Sequence, residues 1–330
     1  ADYLHVSAGV YGSKQLTIPS MYVEQGCFVH LAAAVKRQVS IPVVAVGRIK
    51  RPEMAEAILR DHQADMIALG RSLLADPQWP NKARRGAVRT IRPCIGCCLG
   101  CIHAVFQLES GGCVVNPDVG REYLQPGGIE PAVHPKKCLV AGAGPGGLAA
   151  ARMLALRGHA VTVCDPQAQP GGALRLASKP PGRSELMDIL NYFMEELGGL
   201  NVEVRLNSAL NAALLREVAP EEVILATGSL VDTPMITGLY RTDMQVCTVT
   251  ELLEGTLDVG LRVLVWGGNQ AGLVLADDLA AKGKSVTVLH RKEHFAEEMS
   301  SNDRYYLRER LKRGGVKLYK NVHVDAFLAD

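Results

Sequence analysis

Five of the nine cysteines in this 330-residue chain fall between Cys94 and Cys113. Four of them have the spacing Cys94-x2-Cys97-x3-Cys101-x11-Cys113. Three thiolates on one tight loop, with a fourth returning from further along, can surround a compact inorganic core. Cysteine thiolates are the usual ligands of a 4Fe–4S cluster. Gly96 and Gly100 let such a loop bend sharply and bring backbone N–H groups toward sulfur. Zinc is the main competitor, because four thiolates also close a structural site, although zinc sites more often show two separated cysteine pairs. Cysteines unrelated to any metal are a third reading. Cys98 adjoins Cys97 and could compete as a ligand, but its use would break the register, so it reads as a spectator. Clustering of this kind in a long chain points to metal binding in a reducing compartment, hence to the cytoplasm. No acidic residue occurs between Asp76 and Glu109, an interval that holds Lys82, Arg84, Arg85, Arg89 and Arg92. The plain reading is a solvated loop. The functional one is that these cations offset the charge of a thiolate-bound cluster.

Two further stretches carry chemistry through glycine. Val140-Ala141-Gly142-Ala143-Gly144-Pro145-Gly146-Gly147 fits G-x-G-x-x-G between a strand and a helix. Gly142 makes the turn, Gly144 admits a pyrophosphate, and Gly147 lets helix pack on strand. A helix over Leu148–Arg157 then points its N-terminus at the phosphates. The next strand, Ala160–Cys164, ends at Asp165, whose carboxylate suits an adenosine ribose. Together these predict an FAD or ADP site. The alternative is a plain helix-packing turn. A second copy, Val265-Trp266-Gly267-Gly268-Asn269-Gln270-Ala271-Gly272, puts Asn269 at the middle glycine position; asparagine can adopt a left-handed conformation but is bulkier than glycine. Its following strand, Ser285–Leu289, ends in His290-Arg291-Lys292 with no acid, which suits the 2′-phosphate of NADPH. NADH, or a decayed domain that turns over no nicotinamide, is the other reading. Val223-Ile224-Leu225-Ala226-Thr227-Gly228 reads as a buried strand whose small residues let Thr227 and Gly228 pass close to a dinucleotide.

The elements that must position these residues follow from the hydrophobic pattern. Residues 1–75 alternate strand and helix: strands at Tyr3–Ser7, Pro42–Val46 and Met66–Leu69, helices at Phe28–Arg37 and Glu53–Leu59 with Pro52 at a helix start. This is the βαβ rhythm of a parallel sheet or barrel, and only three units fit where a complete barrel needs about 250 residues. Residues 76–134 are loop-rich and need an internal staple. From Lys136 onward βαβ patterns return twice, over Val140–Asp165 and Val263–His290. The fold class is α/β. Both ends read as cut from something longer.

These motifs occur in an order that resembles one family. Gly47-Arg48, Gly70-Arg71-Ser72-Leu73-Leu74-Ala75-Asp76-Pro77, Cys94-Ile95-Gly96-Cys97, Cys113 to Asn116-Pro117, Gly142 to Gly147, Gly171-Gly172, Pro180-Pro181-Gly182 and Ala226-Thr227-Gly228 are similar to the old-yellow-enzyme-related flavoproteins. That family includes 2,4-dienoyl-CoA reductase and trimethylamine dehydrogenase. The resemblance implies the C-terminal part of a (β/α)8 barrel at 1–90, with FMN phosphate on Gly47, Arg48, Gly70 and Arg71. It implies an iron–sulfur segment at 91–134 with Cys94, Cys97, Cys101 and Cys113 as ligands. A Rossmann-like FAD (or ADP) domain then spans 135–250 on Gly142, Gly144, Gly147, Asp165, Gly172, Thr227 and Gly228. An NAD(P) domain at 251–330 uses Gly267, Gly268, Gly272 and Arg291. Five barrel strands are missing, and with them the family's catalytic acids, so no catalytic residue is named. His5 reads as a packing histidine.

The resemblance implies electron passage between NADPH (or NADH), FAD, a 4Fe–4S cluster and FMN, with reduction of an activated C=C bond in a small-molecule substrate. An amine dehydrogenase or demethylase is the second enzyme reading, and a non-catalytic electron-transfer fragment the third. The expected partner state is a homo-oligomer or a second chain that supplies the missing strands, and the chain alone is expected to be poorly stable. The net charge of +2 argues for neither nucleic acid nor an anionic membrane. No apolar run reaches the ~18 residues of a transmembrane helix.

Overall fold

A computed structural model of the chain describes residues 1–124, 127–233, 235–240 and 244–328. The turn expected at Pro126 and the last residues of the expected fourth domain lie outside the described residues. The chain divides into two compact units, one of Ala1–Ile129 with Met194–Glu196 and Ser300–Tyr306, the other of Glu130–Phe193, Leu197–Met299 and Leu307–Asp330.

The first unit holds β1 (Leu4–Val6), β2 (Val43–Ala45) and β3 (Met66–Ile67), all parallel and adjacent in chain order. Leu4 pairs with Val43, and Ala45 with Ile67. Its helices are α1 (Lys14–Thr17), α2 (Val29–Lys36), α3 (Pro52–Arg60), α4 (Arg71–Ala75), α5 (Trp79–Arg84) and α6 (Ala104–Phe106). Parallel strands in sequence order with intervening helices are the repeating unit of a (β/α) barrel. Every residue of β2 is buried, as expected of a strand paired on both sides. β1 pairs only with β2 and is not buried throughout, and its His5 is exposed, so the packing role expected for that histidine is not what is seen.

The core is small-residue rich where helices meet strands: Val29 and Ala32 from α2, Ala55 and Ile58 from α3, Val43 and Ala45 from β2, closed by Ile49, Trp79 and Ile91. Pro52 opens α3 at its first position, where a missing N–H costs nothing. The Trp79 indole N–H donates to the Lys50 carbonyl at 2.8 Å, which pins α5 against the loop that follows β2. Asp65 fastens the sheet. Its carboxylate accepts from the Val43 N–H at 2.8 Å and from the Lys36 ammonium at 2.5 Å, while its own N–H donates to the Val43 carbonyl.

The second unit holds two parallel sheets. The first has strand order β6 (Glu203–Arg205), β5 (Ala160–Cys164), β4 (Lys137–Ala141), β7 (Glu222–Leu225), with α7 (Pro145–Leu156), α8 (Gly172–Ala177), α9 (Met187–Gly199) and α10 (Ala212–Val218). The second has order β10 (Lys317–Tyr319), β9 (Ser285–Leu289), β8 (Arg262–Trp266), with α11 (Val249–Glu254), α12 (Gln270–Ala281) and α13 (Ser301–Arg313) in sequence around it. α13 starts in residues grouped with the first unit. β4 and β5 are buried from their second residue onward, as continuous apolar runs in a covered parallel sheet should be. β7 departs from expectation. It pairs with β4 alone, and Val223 is 39% and Leu225 70% exposed, so this run is an edge strand and not a buried one. No helix among the described residues is long and apolar enough to cross a membrane.

The Asp65 clamp makes a pH-dependent contribution. The Lys36 ammonium first, and the Val43 N–H second, hold its carboxyl below the ordinary value of 3.8. A carboxyl lowered in the folded state stabilises above its unfolded value and loses that contribution as pH falls through the folded one. Asp65→Asn should therefore melt lower than the parent at neutral pH, with the gap closing below 3.8. A gap of constant size in parallel thermal melts across that range would contradict this account.

Candidate functional site

In the first unit the two glycine–arginine loops converge. Gly47, Arg48, Gly70, Arg71 and Ser72 line one pocket with Pro19, Phe28, Lys50, Cys94 and Gly96. Gly47 lies at φ 127°, and a β-carbon there would stand 2.9 Å from the Phe28 ring, so only glycine fits. Arg48 follows it at φ 52°, a conformation an arginine adopts only when its surroundings hold it. Arg48 and Lys50 are both buried in this wall. The Ser72 hydroxyl donates to the Ile49 carbonyl at 2.9 Å, which ties the second loop to the first.

Arg71 lines this pocket and also reaches the cysteines. Its guanidinium donates to Cys98 Sγ at 3.0 Å and to the Pro19 carbonyl at 2.7 Å. Burial pulls against its charge, but the surrounding thiols, Cys98 foremost and then Cys94, Cys101 and Cys97, outweigh that and raise its pKa further. Arg71 and Cys94 line this pocket and also a second one, whose other walls are Leu74, Ile95, Cys97, Cys98, Gly100, Cys101, Cys113, Val114 and Val115. All four expected ligands thus face one apolar-walled space.

The loop reaches this state through a few local contacts. The Asp76 carboxylate accepts from Gln78 N at 2.9 Å, from Arg92 N at 2.8 Å and from the Lys82 ammonium at 2.8 Å. Asn116 donates to the Leu74 carbonyl at 2.8 Å and accepts from the Arg92 guanidinium. The Gly112 N–H donates to the Gly100 carbonyl at 2.7 Å, which draws Cys113 back toward Cys101 despite eleven intervening residues. A β-carbon at Gly100 would stand 3.2 Å from that Gly112 backbone. Residues 99–103 form a π-helical turn, entered through a left-handed Cys98 at φ 53°. Burial raises the Cys97 thiol pKa and pushes Cys98 up to about 12. Among the described residues, no three His, Cys, Asp or Glu side chains are disposed to hold a single metal ion.

The basic residues of this segment are mostly spent on structure. Lys82 serves Asp76 and the Thr90 carbonyl, Arg92 serves Asn116, and Arg84, Arg85 and Arg89 are exposed. Arg92 lowers the Cys113 thiol pKa, though less than burial raises it. The cation seated on the cysteines is Arg71, which the charge run did not indicate.

In the second unit the two glycine turns have the same backbone. Gly142 lies at φ 113° and Gly267 at φ 121°. A β-carbon at Gly147 would come within 1.8 Å of the Gly142 carbonyl oxygen, and one at Gly272 within 1.8 Å of the Gly267 oxygen. Gly144 caps α7 at φ −74°, ψ 175°, and Asn269 caps α12 at φ −75°, ψ −179°. Asn269 is therefore extended, and the left-handed conformation open to asparagine is not used. An asparagine fits because this position needs no positive φ.

Each turn also has a brace from the end of the following strand. Ala143 N donates to Asp165 Oδ2 at 2.7 Å, and Gly268 N donates to His290 Nδ1 at 3.1 Å. His290 Nε2 lies 3.0 Å from the His294 carbonyl, which fixes the neutral tautomer with Nε2 as donor. His290 thus takes the place of Asp165. The second Asp165 oxygen accepts from Gln167 N at 2.8 Å, so both of its oxygens already hold amides before any ribose arrives.

Around the first turn, Gly171 donates its N–H to the Ala143 carbonyl at 2.8 Å, and a β-carbon at Gly172 would stand 3.4 Å from Gly144 Cα. The Ala226 carbonyl would lie 2.2 Å from a β-carbon at Gly142, which places Ala226-Thr227-Gly228 against the turn. Arg183, in the loop after Pro180-Pro181-Gly182, is 5% exposed; its Nε donates to the Ala177 carbonyl at 3.2 Å and its Nη1 finds no partner among the described residues. Arg183 belongs to no glycine motif and no charge run in the sequence. Gly267, Gly268, Asn269, His290, Arg291, Lys292, Glu297 and Glu298 line one pocket at the second turn.

Comparison with known proteins agrees with both units. Residues 136–330 match the pyridine nucleotide-disulphide oxidoreductase family, and residues 13–89 match the NADH:flavin oxidoreductase / NADH oxidase family. The chain is 38% identical over 316 residues to the NADH oxidase of Thermoanaerobacter brockii, covering 95% of this chain and 48% of that protein. It is 33% identical over 288 residues to the cinnamate reductase of Clostridium sporogenes, covering 87% of this chain and 42% of that one. The solved 2-naphthoyl-CoA reductase complex with 2-naphthoyl-CoA superposes with a TM-score of 0.93 at 30% identity, over 98% of this chain and 49% of that chain. The chain belongs to the flavin oxidoreductases that join these two regions, the family that includes 2,4-dienoyl-CoA reductase and trimethylamine dehydrogenase. It spans about half the length of the curated relatives it matches.

The brace at the first turn can be tested apart from any ligand. Asp165→Ala leaves the buried Ala143 N–H without its acceptor and should cost about 1–3 kcal/mol, seen as a lower denaturant midpoint of the second unit. An unchanged midpoint would mean that water replaces the carboxylate there.

Proposed function

We propose that the chain passes electrons among NAD(P)H, FAD, a 4Fe–4S cluster and FMN, and serves the reduction of an activated C=C bond in an enoate or acyl-CoA thioester. The observation that carries this reading is the sharing of Arg71 and Cys94 by two pockets. One has the glycine–arginine loops suited to a flavin phosphate, the other five cysteines, the four proposed ligands and Cys98. A bound cluster would supply one-electron transfer, and FMN the conversion between hydride and single electrons. Gly47 and Gly70 keep the loop backbone open to a phosphate, Arg48 and Lys50 supply buried positive charge, and Arg71 faces the thiols.

The cysteine pocket favours a cluster over zinc. A zinc site needs four donors within about 2.3 Å of one point. The thiols here line one space, yet no three described ligand-type side chains are set to hold a single ion. A cluster several ångströms across suits that spread. Cys94, Cys97, Cys101 and Cys113 are the proposed ligands, and Cys98, turned to Arg71, is not one.

In the second unit, FAD is proposed on Gly142, Gly144, Gly147 and Gly172, with Thr227 and Gly228 alongside and Asp165 at the ribose. A β-carbon at Gly144 would meet nothing, which leaves room for a pyrophosphate. The second turn, with Gly267, Gly268 and Gly272, is proposed to take NADPH. Its backbone repeats the first turn, which speaks against a decayed domain. Arg291 and Lys292 follow His290 where an acid would disfavour a 2′-phosphate. The relatives that reduce cinnamate and 2-naphthoyl-CoA support a conjugated acyl substrate.

Two measurements test these readings. Anaerobically prepared protein should carry about four iron and about four sulfide per chain, the stoichiometry of the cluster; stoichiometric zinc without sulfide would overturn it. Arg291→Ala should raise the KM for NADPH while leaving that for NADH unchanged. Equal use of both nucleotides by the parent protein would refute the 2′-phosphate assignment.

A further inference from the structure

The two nucleotide turns share a backbone but not what fills them. In the first, α7 starts at Gly144 with no side chain on its leading amides. In the second, two leading amides of α12 are already occupied by the chain itself. Gly272 N donates to Asn269 Oδ1 at 3.1 Å, and Gln270 N donates to Glu298 Oε1. A helix N-terminus with free amides at its first turn is where a dinucleotide pyrophosphate binds, because the N–H groups and the helix dipole both favour an anion. Here a carboxylate of the chain sits in that seat.

We infer that Glu298 is a self-ligand of the second nucleotide site, holding the pyrophosphate position on α12 until a dinucleotide displaces it. Glu298 lines the same pocket as Arg291 and Lys292, so its charge also opposes an incoming phosphate directly. It is exposed, so nothing buried locks it in place. The backbone that carries it is anchored on both sides. Ala296 is buried, donates its N–H to the Gly268 carbonyl at 2.9 Å, and lies in the left-handed region at φ 47°; Met299 is buried and donates its N–H to the Ala296 carbonyl at 3.1 Å. The exposed Glu298 side chain can therefore swing off the helix by rotation while its backbone stays fixed to the turn. Glu297 is engaged separately, by the Lys292 ammonium at 3.5 Å. The consequence is a nucleotide affinity set below what the turn itself would give, which keeps an unliganded site closed to small anions. This inference rests on the reading that the second turn takes a dinucleotide.

The test is calorimetric titration of the full chain with NADPH, in saturating FAD so that the first turn is filled. Parent, Glu298→Ala and Glu298→Gln are compared. Glu298→Ala should bind NADPH about tenfold tighter than the parent, the scale of one charge-assisted hydrogen bond to the backbone. Glu298→Gln keeps an oxygen acceptor without the charge and should fall between the two. Inorganic pyrophosphate, as a probe of the seat alone, should bind Glu298→Ala and not the parent. If the parent binds NADPH and Glu298→Ala binds it equally or more weakly, the glutamate is no competitor and the inference is wrong. If none of the three binds NADPH, the dinucleotide reading of this turn fails and the self-ligand falls with it.

Discussion

The second unit depends on a distance that no side chain larger than hydrogen allows. A β-carbon at position 147 would lie 1.8 Å from the Gly142 carbonyl oxygen, and one at 272 the same distance from the Gly267 oxygen. Helix and strand can pack this closely only with glycine at both places. Everything else at each turn follows from that approach. The strand end and the helix start come together, so the amide one residue past the first glycine is buried against the next strand. A buried amide must find an acceptor. In one turn it finds Asp165, in the other His290. The acid of the nucleotide-binding pattern is thus first a structural acceptor, with both oxygens held by backbone amides.

The first unit solves a different problem, since residues 91–120 contain almost no regular structure to place four cysteines. A few polar groups substitute for it. Asp76 gathers three donors from the chain that enters the loop, Asn116 fastens the chain that leaves it, and a single Gly112–Gly100 hydrogen bond closes the long excursion. The result is a pocket with two opposing demands. Burial raises the thiol pKa values of Cys97 and Cys98, while Arg71 presents a half-buried cation that favours negative charge beside it. The proposed cluster would meet both demands by spreading thiolate charge over a large inorganic core.

The sequence is legible where a backbone requirement selects a residue type. The glycines at 142, 147, 267 and 272, Pro52 at a helix start, and the apolar runs of β2, β4, β5 and β9 all read correctly, because each answers a steric or burial rule that acts locally. Edge and centre are harder. Val223–Leu225 has the composition of a covered strand, but whether a neighbour covers it depends on sheet order, which no local pattern encodes. Partners of long charged side chains are harder still. Lys82 and Arg92 look like counter-charges for the cysteines because they are close in sequence, whereas Arg71, about a quarter-hundred residues away from Cys98, reaches the thiol. A flexible side chain spans several ångströms, so sequence proximity is a poor guide to what it touches.

The same distinction separates the two nucleotide turns. A G-x-G-x-x-G pattern reports whether the backbone can turn, and both copies can, even with Asn269 in the middle position, since that residue is extended in either copy. The pattern does not report what occupies the amides the turn presents. Those amides seek acceptors whether or not a nucleotide is present, and a nearby carboxylate or carboxamide supplies one at little entropic cost. In the first turn proline removes one amide and glycine offers no side chain, so the seat is left to a ligand. In the second, Asn269 and Glu298 are within reach and take it. Two turns with one backbone can thus differ through one side chain within the motif, Asn269, and one outside it, Glu298.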